Sequence, residues 1–277
     1  MVQEGGRRDG YPVLVLAGSP SSRQLYGPHV RDALGQRIRL FSYDRPGYGG
    51  SDPQSGRVVA DCAADVGAIA DALGIERFAV WGISAGGAHA LACASLLPDR
   101  VVATAVLASP APYDAPGLDQ FAGMGEDNVE DAKLMLTDPA AARAKLAEQR
   151  EALLATTASD LLAAYPTLLS PPDQAALCGE LAEYYTRRDK DSLAPGIEGW
   201  WDDSWALMRP WGFALEDIRG PVVLWHGRQD RFVPFQHSQW LAEHIPGVHL
   251  HLSDEDGHLS LFQQRVPPVH SWLLGQF

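Results

Sequence analysis

Short apolar runs alternate along the chain with longer segments whose apolar positions recur every three or four residues. The short runs predict buried strands, and the longer segments predict helices. Strands are predicted at 11–18, 37–44, 77–83, 101–109, 220–227 and 248–254. Helices are predicted at 22–36, 57–74, 84–98, 234–246 and within 259–277, where Pro267 and Pro268 should break or kink the last one. This alternation predicts an α/β fold, with a mostly parallel sheet flanked by helices.

The interval 112–219 has no convincing strand pattern but contains helical windows at 140–157 and 171–189. We interpret it as a helical cap inserted into a core made of residues 1–111 and 220–277. The alternative is a peripheral helical lobe with no role at a site. A cap is favoured because ligand sites prefer clefts between domains.

The run "WGISAGG" places Ser84 between a predicted strand and a predicted helix. Gly82-Ile83-Ser84-Ala85-Gly86 has the G-x-S-x-G pattern of a nucleophile on a sharp strand-to-helix turn. Such a turn forces the serine into a strained conformation and leaves no room for side chains two positions away. The pattern alone is weak, but in this setting it predicts a nucleophile rather than a buried turn serine.

A serine nucleophile needs a base, and the base needs an orienting acid. Asp230 follows the predicted strand 220–227, and His258 follows the last predicted strand. Because ligands bind outside the carboxyl ends of parallel strands, these residues should meet Ser84 at one sheet edge. The alternative acid is Asp114, which follows the strand 101–109.

An oxyanion hole needs two backbone N–H groups aimed at one point. Ala85, directly after the candidate nucleophile, offers one. The other should come from the loop after the first predicted strand, where Pro20 has no N–H and Ser19 is the best candidate. Further along, Asp44 and Arg45 are interpreted as structural residues that brace a Gly/Pro turn.

Five segments together resemble the α/β-hydrolase superfamily, in the capped branch of esterases, lactonases and proline-iminopeptidase-like enzymes. They are "VLVLAGSP" (13–20), "YDRPGYGGSD" (43–52), "VWGISAGG" (80–87), "LWHGRQDRFVP" (224–234) and "EDGHLSLF" (255–262). The resemblance implies the same roles for Ser84, Asp230, His258 and the two amides. Ala17 departs from it, because the family usually has His before the glycine of that loop.

The family also usually opens with an antiparallel strand pair, and too few residues precede Tyr11 for a normal hairpin. We therefore expect the N-terminal strands to be absent or reduced, which would leave 37–44 near a sheet edge. A bare edge is a liability, so we hypothesise that it is covered by a partner subunit, in a homodimer, or by the chain's tail.

Composition excludes several function classes. The chain of 277 residues has 22 basic and 35 acidic residues, a formal net charge of −13. This charge opposes binding to nucleic acid or to anionic membranes. No apolar N-terminal segment or membrane-spanning run is evident, and the three cysteines suggest neither disulfides nor a zinc site. We expect a cytoplasmic enzyme that acts on a small molecule and needs no cofactor or metal.

The resulting hypothesis is a serine esterase or lactonase that works through an acyl-enzyme. Four tryptophans could form an aromatic pocket wall for a hydrophobic substrate, or could simply attach the cap to the core. They are Trp200, Trp201, Trp205 and Trp211. An aminopeptidase would instead use Glu198, Asp202 and Asp203 to hold the substrate's ammonium group. A carbon–carbon bond hydrolase and a non-catalytic ligand receptor remain as further alternatives.

Overall fold

The computed structural model describes residues 1–277 and contains one seven-stranded sheet. Its strands are β1 (Val2–Gly6), β2 (Tyr11–Leu16), β3 (Ile38–Tyr43), β4 (Phe78–Ile83), β5 (Val101–Leu107), β6 (Val222–Gly227) and β7 (His249–Ser253). They lie in the order β1-β3-β2-β4-β5-β6-β7, and every pairing except that of β1 with β3 is parallel. The predicted α/β fold with a mostly parallel sheet is confirmed.

Helices cover both faces of this sheet, because its central strands are apolar on both sides. On β2, Val13 and Val15 join one core cluster, whereas Leu14 and Leu16 join the other. The helices of the α/β part are α1 (Gly27–Gly35), α2 (Cys62–Ala72), α3 (Ala85–Leu96), α9 (Gln236–His244) and α10 (His258–Leu274). Helix α10 continues through Pro267 and Pro268, so the expected break does not occur.

The expectation for the N-terminus is confirmed in part: the strands are reduced to one rather than absent. Residues Val2–Gly6 form β1, which pairs antiparallel with β3 from Val2 opposite Tyr43 to Gly6 opposite Arg39. One strand of the antiparallel pair is therefore present, and β3 lies inside the sheet. The run has little strand propensity of its own, and pairing with β3 satisfies its backbone groups. The edge for which a partner subunit or the tail was invoked is covered by β1 of the same chain.

Between β5 and β6 the chain forms five α-helices and no strand. They are α4 (Glu126–Thr137), α5 (Pro139–Ala155), α6 (Pro171–Ala176), α7 (Gly179–Leu193) and α8 (Glu198–Leu207). Short 3-10 turns occupy 161–164 and 215–217, and a third, at 59–61, leads into α2. We call residues 112–219 the inserted segment. The window 171–189, predicted as one helix, is divided between α6 and α7.

Candidate active site

Ser84 occupies the bend between β4 and α3 and has a positive φ of 55°. Its N–H donates to the carbonyl of Leu107, which ties the bend to β5 (2.9 Å). A Cβ on Gly82 would lie 2.1 Å from the carbonyl oxygen of Gly86, and a Cβ on Gly86 would lie 2.0 Å from that of Leu16. The two glycines are therefore required by the close approach of three backbone segments around the serine.

His258 is the first residue of α10, and its Nδ1 lies 2.6 Å from Oδ2 of Asp230, in the loop after β6. The other oxygen of Asp230 accepts the N–H groups of Phe232 (2.8 Å) and Val233 (2.9 Å). Nε2 of His226 lies 3.3 Å from Oδ2 of the same carboxylate. Asp230 is thus held from several sides, with one oxygen committed to the imidazole.

The pKa values of this pair move apart. Burial by itself would raise the pKa of Asp230, but His258 and then His226 favour the carboxylate, so the pKa falls below its ordinary value. Burial by itself would lower the pKa of His258, but Asp230 favours the imidazolium, so that pKa lies above its ordinary value. An ionised acid therefore sits beside a histidine that binds a proton readily.

Ser84 and His258 line the same cavity, as does Ser19. No hydrogen bond joins the Ser84 hydroxyl to His258, a contact that in such sites often tightens only when substrate binds. The alternative acid, Asp114, is exposed and makes no contact with His258. The geometry thus brings Ser84, Asp230 and His258 together and leaves Asp114 outside.

The loop after β2 passes directly beside the serine. A Cβ added to Gly18 would lie 3.2 Å from the Cβ of Ser84. The N–H of Ser19 donates no hydrogen bond within the protein. As the first residue of α3, Ala85 carries one of the N–H groups that no carbonyl of its own helix accepts. The two residues predicted to form the oxyanion hole thus lie on the two backbone segments that adjoin Ser84.

Arg45 holds this loop in place and is itself buried. Its guanidinium donates to the carbonyls of Ala17 and Gly18, each at 2.7 Å, and to Oδ2 of Asp203 at 2.6 Å. Asp203 belongs to α8, so the inserted segment contributes to the bracing of the loop. Arg45 therefore does more than brace a Gly/Pro turn, because it also joins the loop after β2 to the inserted segment.

Asp203 is fully buried and binds a second cation, Arg57, at 2.8 Å. It also accepts the hydroxyl of Tyr48 (3.0 Å), which lies 2.8 Å from Oγ of Ser19. Burial by itself would raise the pKa of Asp203, but Arg45 and Arg57 hold it well below its ordinary value. This carboxylate is therefore ionised and neutralised by two arginines.

The cavity over Ser84 has a volume of about 350 Å³, and its lining is mostly apolar. Trp200 and Trp201 line it, but Trp205 and Trp211 do not. On α8 the helical period places Trp200 and Ser204 on the stripe that faces the cavity, and Trp205 falls outside it. Trp211 is buried in the hydrophobic core on one face of the sheet, where it stacks on Phe213. Only half of the proposed aromatic wall therefore faces the cavity.

The acidic residues considered for an aminopeptidase do not line the cavity. Asp203 is bound to arginines, Asp202 is buried beside the backbone of Gly56, and Glu198 pairs with Arg143. The structure also groups no set of His, Cys, Asp and Glu side chains that could hold a metal ion. None of its helices combines the length and apolar character needed to cross a membrane.

Comparison with known proteins agrees with this architecture. A family model described as the alpha/beta hydrolase fold matches residues 11–264. A 2-hydroxymuconate semialdehyde hydrolase of Pseudomonas putida is 30% identical over 270 residues, which are 90% of this chain and 81% of that protein. A pimeloyl-[acyl-carrier protein] methyl ester esterase of Nitrosomonas europaea is 30% identical over 236 residues, 83% of this chain and 81% of the other.

Other relatives match shorter stretches: a non-heme chloroperoxidase of Streptomyces lividans is 33% identical over 111 residues, only 40% of each chain. Among solved structures, an esterase from Thermogutta terrifontis superposes with a TM-score of 0.70 and 21% identity, over 100% of this chain and 93% of that one. The family match and the full-length relatives lead to one assignment. The chain belongs to the α/β-hydrolase family, whose members are hydrolases.

Proposed function

We propose that this chain is a serine hydrolase that cleaves a small hydrophobic ester or lactone. The observation that carries the proposal is the convergence of the strained Ser84 with the hydrogen-bonded Asp230–His258 pair at one apolar cavity. A serine on such a bend, with a base and an orienting acid beside it, is the arrangement that nucleophilic acyl transfer requires.

In this mechanism Ser84 attacks the acyl carbonyl while His258 removes the hydroxyl proton. The N–H groups of Ser19 and Ala85 bind the oxyanion, and Asp230 stabilises the imidazolium. His258 then gives the proton to the leaving group, which departs and leaves an ester on Ser84. Water, activated by His258, attacks that ester and releases the acid and the free serine.

The inserted segment would act as the cap that selects the substrate, because most of the cavity's apolar lining comes from it. The cations that line the cavity are already paired: Lys145 lies 2.7 Å from Asp131, and Arg188 is bonded to Asp189. Apolar walls without an unpaired charge favour an uncharged acyl group. The absence of free carboxylates on the wall removes the support for an aminopeptidase.

A carbon–carbon bond hydrolase is the second candidate. The full-length relative from Pseudomonas putida is named for a muconate semialdehyde, a substrate that carries a carboxylate. Arg188 lines the cavity and is the guanidinium that would contact such a carboxylate, in addition to its bond with Asp189. Turnover of 2-hydroxymuconate semialdehyde, with no turnover of short aryl esters, would favour this candidate over the esterase.

Covalent labelling with a fluorophosphonate tests the central proposal. The wild-type protein should label on Ser84, and Ser84→Ala should not label. Absence of labelling in the wild type, or equal labelling of Ser84→Ala, would refute the nucleophile assignment and favour a non-catalytic receptor. A panel of neutral esters and lactones, each with a carboxylate-bearing analogue, then tests the substrate class.

A further inference from the structure

Asp173 is a fully buried carboxylate of the inserted segment that contacts the start of the helix carrying His258. Its Oδ2 accepts the N–H of His258 at 3.0 Å. Its Oδ1 accepts the N–H groups of Leu259 (2.8 Å) and Ser260 (2.9 Å) and the Ser260 hydroxyl (3.1 Å). The first three amides of α10 are therefore bound by one side chain from another part of the molecule.

Helix α10 cannot cap itself in the usual way, because the residue before His258 is Gly257. A Cβ at Gly257 would lie 2.3 Å from Oδ2 of Asp173 and 2.2 Å from Oγ of Ser170. The Ser170 hydroxyl donates to Asp173 at 2.9 Å and fixes the carboxylate from the other side. The glycine thus makes space for a cap supplied by α6.

No cation pairs with Asp173: its hydrogen-bond partners are backbone amides and two hydroxyls. Its negative charge therefore lies at the N-terminal end of a 17-residue helix, where it is favoured, and next to His258. The groups that face His258 are Asp230, Asp173, Arg188, the ring of Phe232 and the Ser84 side of the cavity. Of these, Asp230 and Asp173 favour the imidazolium, and Arg188 opposes it.

We propose that Asp173 is a positioning residue for the base of the reaction: by binding the first amides of α10 it fixes the backbone of His258 and keeps the imidazole directed at Asp230. This inference rests on the proposed function. His258 is then held at two points: Asp230 binds Nδ1 of its ring, and Asp173 binds its backbone N–H. The inserted segment and the helix that carries the base are therefore joined directly at this corner of the site.

Asp173→Asn is the principal test, because an amide fills the same space but presents an N–H₂ group to some of the helix amides and carries no charge. We expect kcat for an ester substrate to fall about 10- to 100-fold, since small displacements of a reacting group have effects of this size, while KM changes little. The acid limb of the pH–rate profile should move to lower pH, because a charge that raises the pKa of His258 is lost.

Asp127→Asn is the matched control. Asp127, in the first turn of α4, accepts the N–H and hydroxyl of Thr167 within the inserted segment, and it does not line the cavity. The Asp127→Asn variant should have the same kcat, and the same acid limb of the pH–rate profile, as the wild type. A purely structural role for Asp173 would lower the amount of folded protein but leave kcat per labelled Ser84 and the acid limb unchanged, and that result would overturn the proposal.

Two further measurements keep the test decisive. If Asp173→Asn does not fold, Ser170→Ala, which removes one hydrogen bond to the carboxylate, should shift kcat and the acid limb in the same directions. Wild-type values of kcat and of the acid limb in Ser170→Ala would refute the proposal.

An NMR titration of the His258 imidazole reports its pKa without turnover. If the wild type fails to label or hydrolyse, the proposed function fails, whereas an unchanged imidazole pKa in Asp173→Asn refutes this inference alone.

Discussion

Two buried aspartates of the inserted segment reach opposite halves of the candidate active site. Asp203, on α8, binds Arg45 and Arg57 and through Arg45 holds the loop after β2 that carries Ser19. Asp173, on α6, binds backbone amides and hydroxyls at the start of the His258 helix and pairs with no cation. One connection is an ion-pair cluster and the other is a helix cap.

Equal burial therefore has unequal consequences at the two aspartates. Loss of Asp203 leaves two buried guanidinium groups without a counter-charge, which is costly. Loss of Asp173 leaves only dipoles unsatisfied, and another oxygen acceptor can replace part of what is lost. The first connection should therefore dominate stability, and the second should affect the chemistry more than the fold.

Asp203→Ala should give the largest effect. We expect a loss of about 3–5 kcal/mol in the free energy of unfolding, because both arginines remain buried and unpaired. Urea denaturation followed by fluorescence measures this loss. If Asp203→Ala is destabilised no more than Asp173→Asn, the ion-pair cluster is not the stronger connection and the comparison fails.

Arg45→Lys tests the contact between the ion-pair cluster and the loop after β2. A lysine keeps the charge but cannot reach Asp203 and both loop carbonyls at once, because it lacks the guanidinium fork. We expect kcat to fall about 10- to 100-fold through misplacement of the Ser19 amide, with labelling of Ser84 slowed in parallel. Wild-type kcat in this variant would show that the loop holds its shape without the two carbonyl contacts.

Asp173→Asn should cost less stability than Asp203→Ala. Helix caps contribute about 0.5–2 kcal/mol, and asparagine retains one oxygen acceptor, so we expect a loss of about 1–2 kcal/mol. The same urea titration measures it. A loss equal to that of Asp203→Ala would mean that the cap of α10 is mainly a stability device.

Tyr48→Phe should give the smallest effect. It removes the hydroxyl that lies between Asp203 and the Ser19 side chain and leaves both arginines paired. We expect a loss of about 0.5–1.5 kcal/mol in the free energy of unfolding, the usual net contribution of the hydrogen bond to Asp203, because the half-buried Ser19 hydroxyl can bond to water instead. A much larger loss would assign the strength of the cluster to the hydroxyl rather than to the ion pairs.

Local sequence patterns predict the placement of Ser84, Asp230 and His258, because each follows its own strand and parallel strands end at one edge. The partners of the two aspartates were not predictable in this way. Asp173 lies 85 residues from His258, and "SPPD" has the pattern of a cap for its own helix, which hides its second role. Asp203 lies 158 residues from Arg45 and was considered only as a ligand for a substrate ammonium.

The N-terminal strand and the tryptophans show the same limit. The run Val2–Gly6 becomes a strand through its partner β3, and nothing in its own sequence predicts this pairing. Four tryptophans close together in the chain suggested one aromatic wall, but Trp205 and Trp211 turn away from it. Periodicity shows which residues share one face of a helix. Whether that face contacts the cavity or the core depends on packing against residues far along the chain.

The presence of glycine at position 257 has a consequence for protein engineering. If the inserted segment were exchanged for that of a relative, the graft boundary could not be drawn at its two ends alone, because the space left by Gly257 is filled by Asp173 and Ser170. A chimera without an equivalent carboxylate would lose the acceptor for the first amides of α10, the helix that begins with His258, however well the new pocket fitted its substrate.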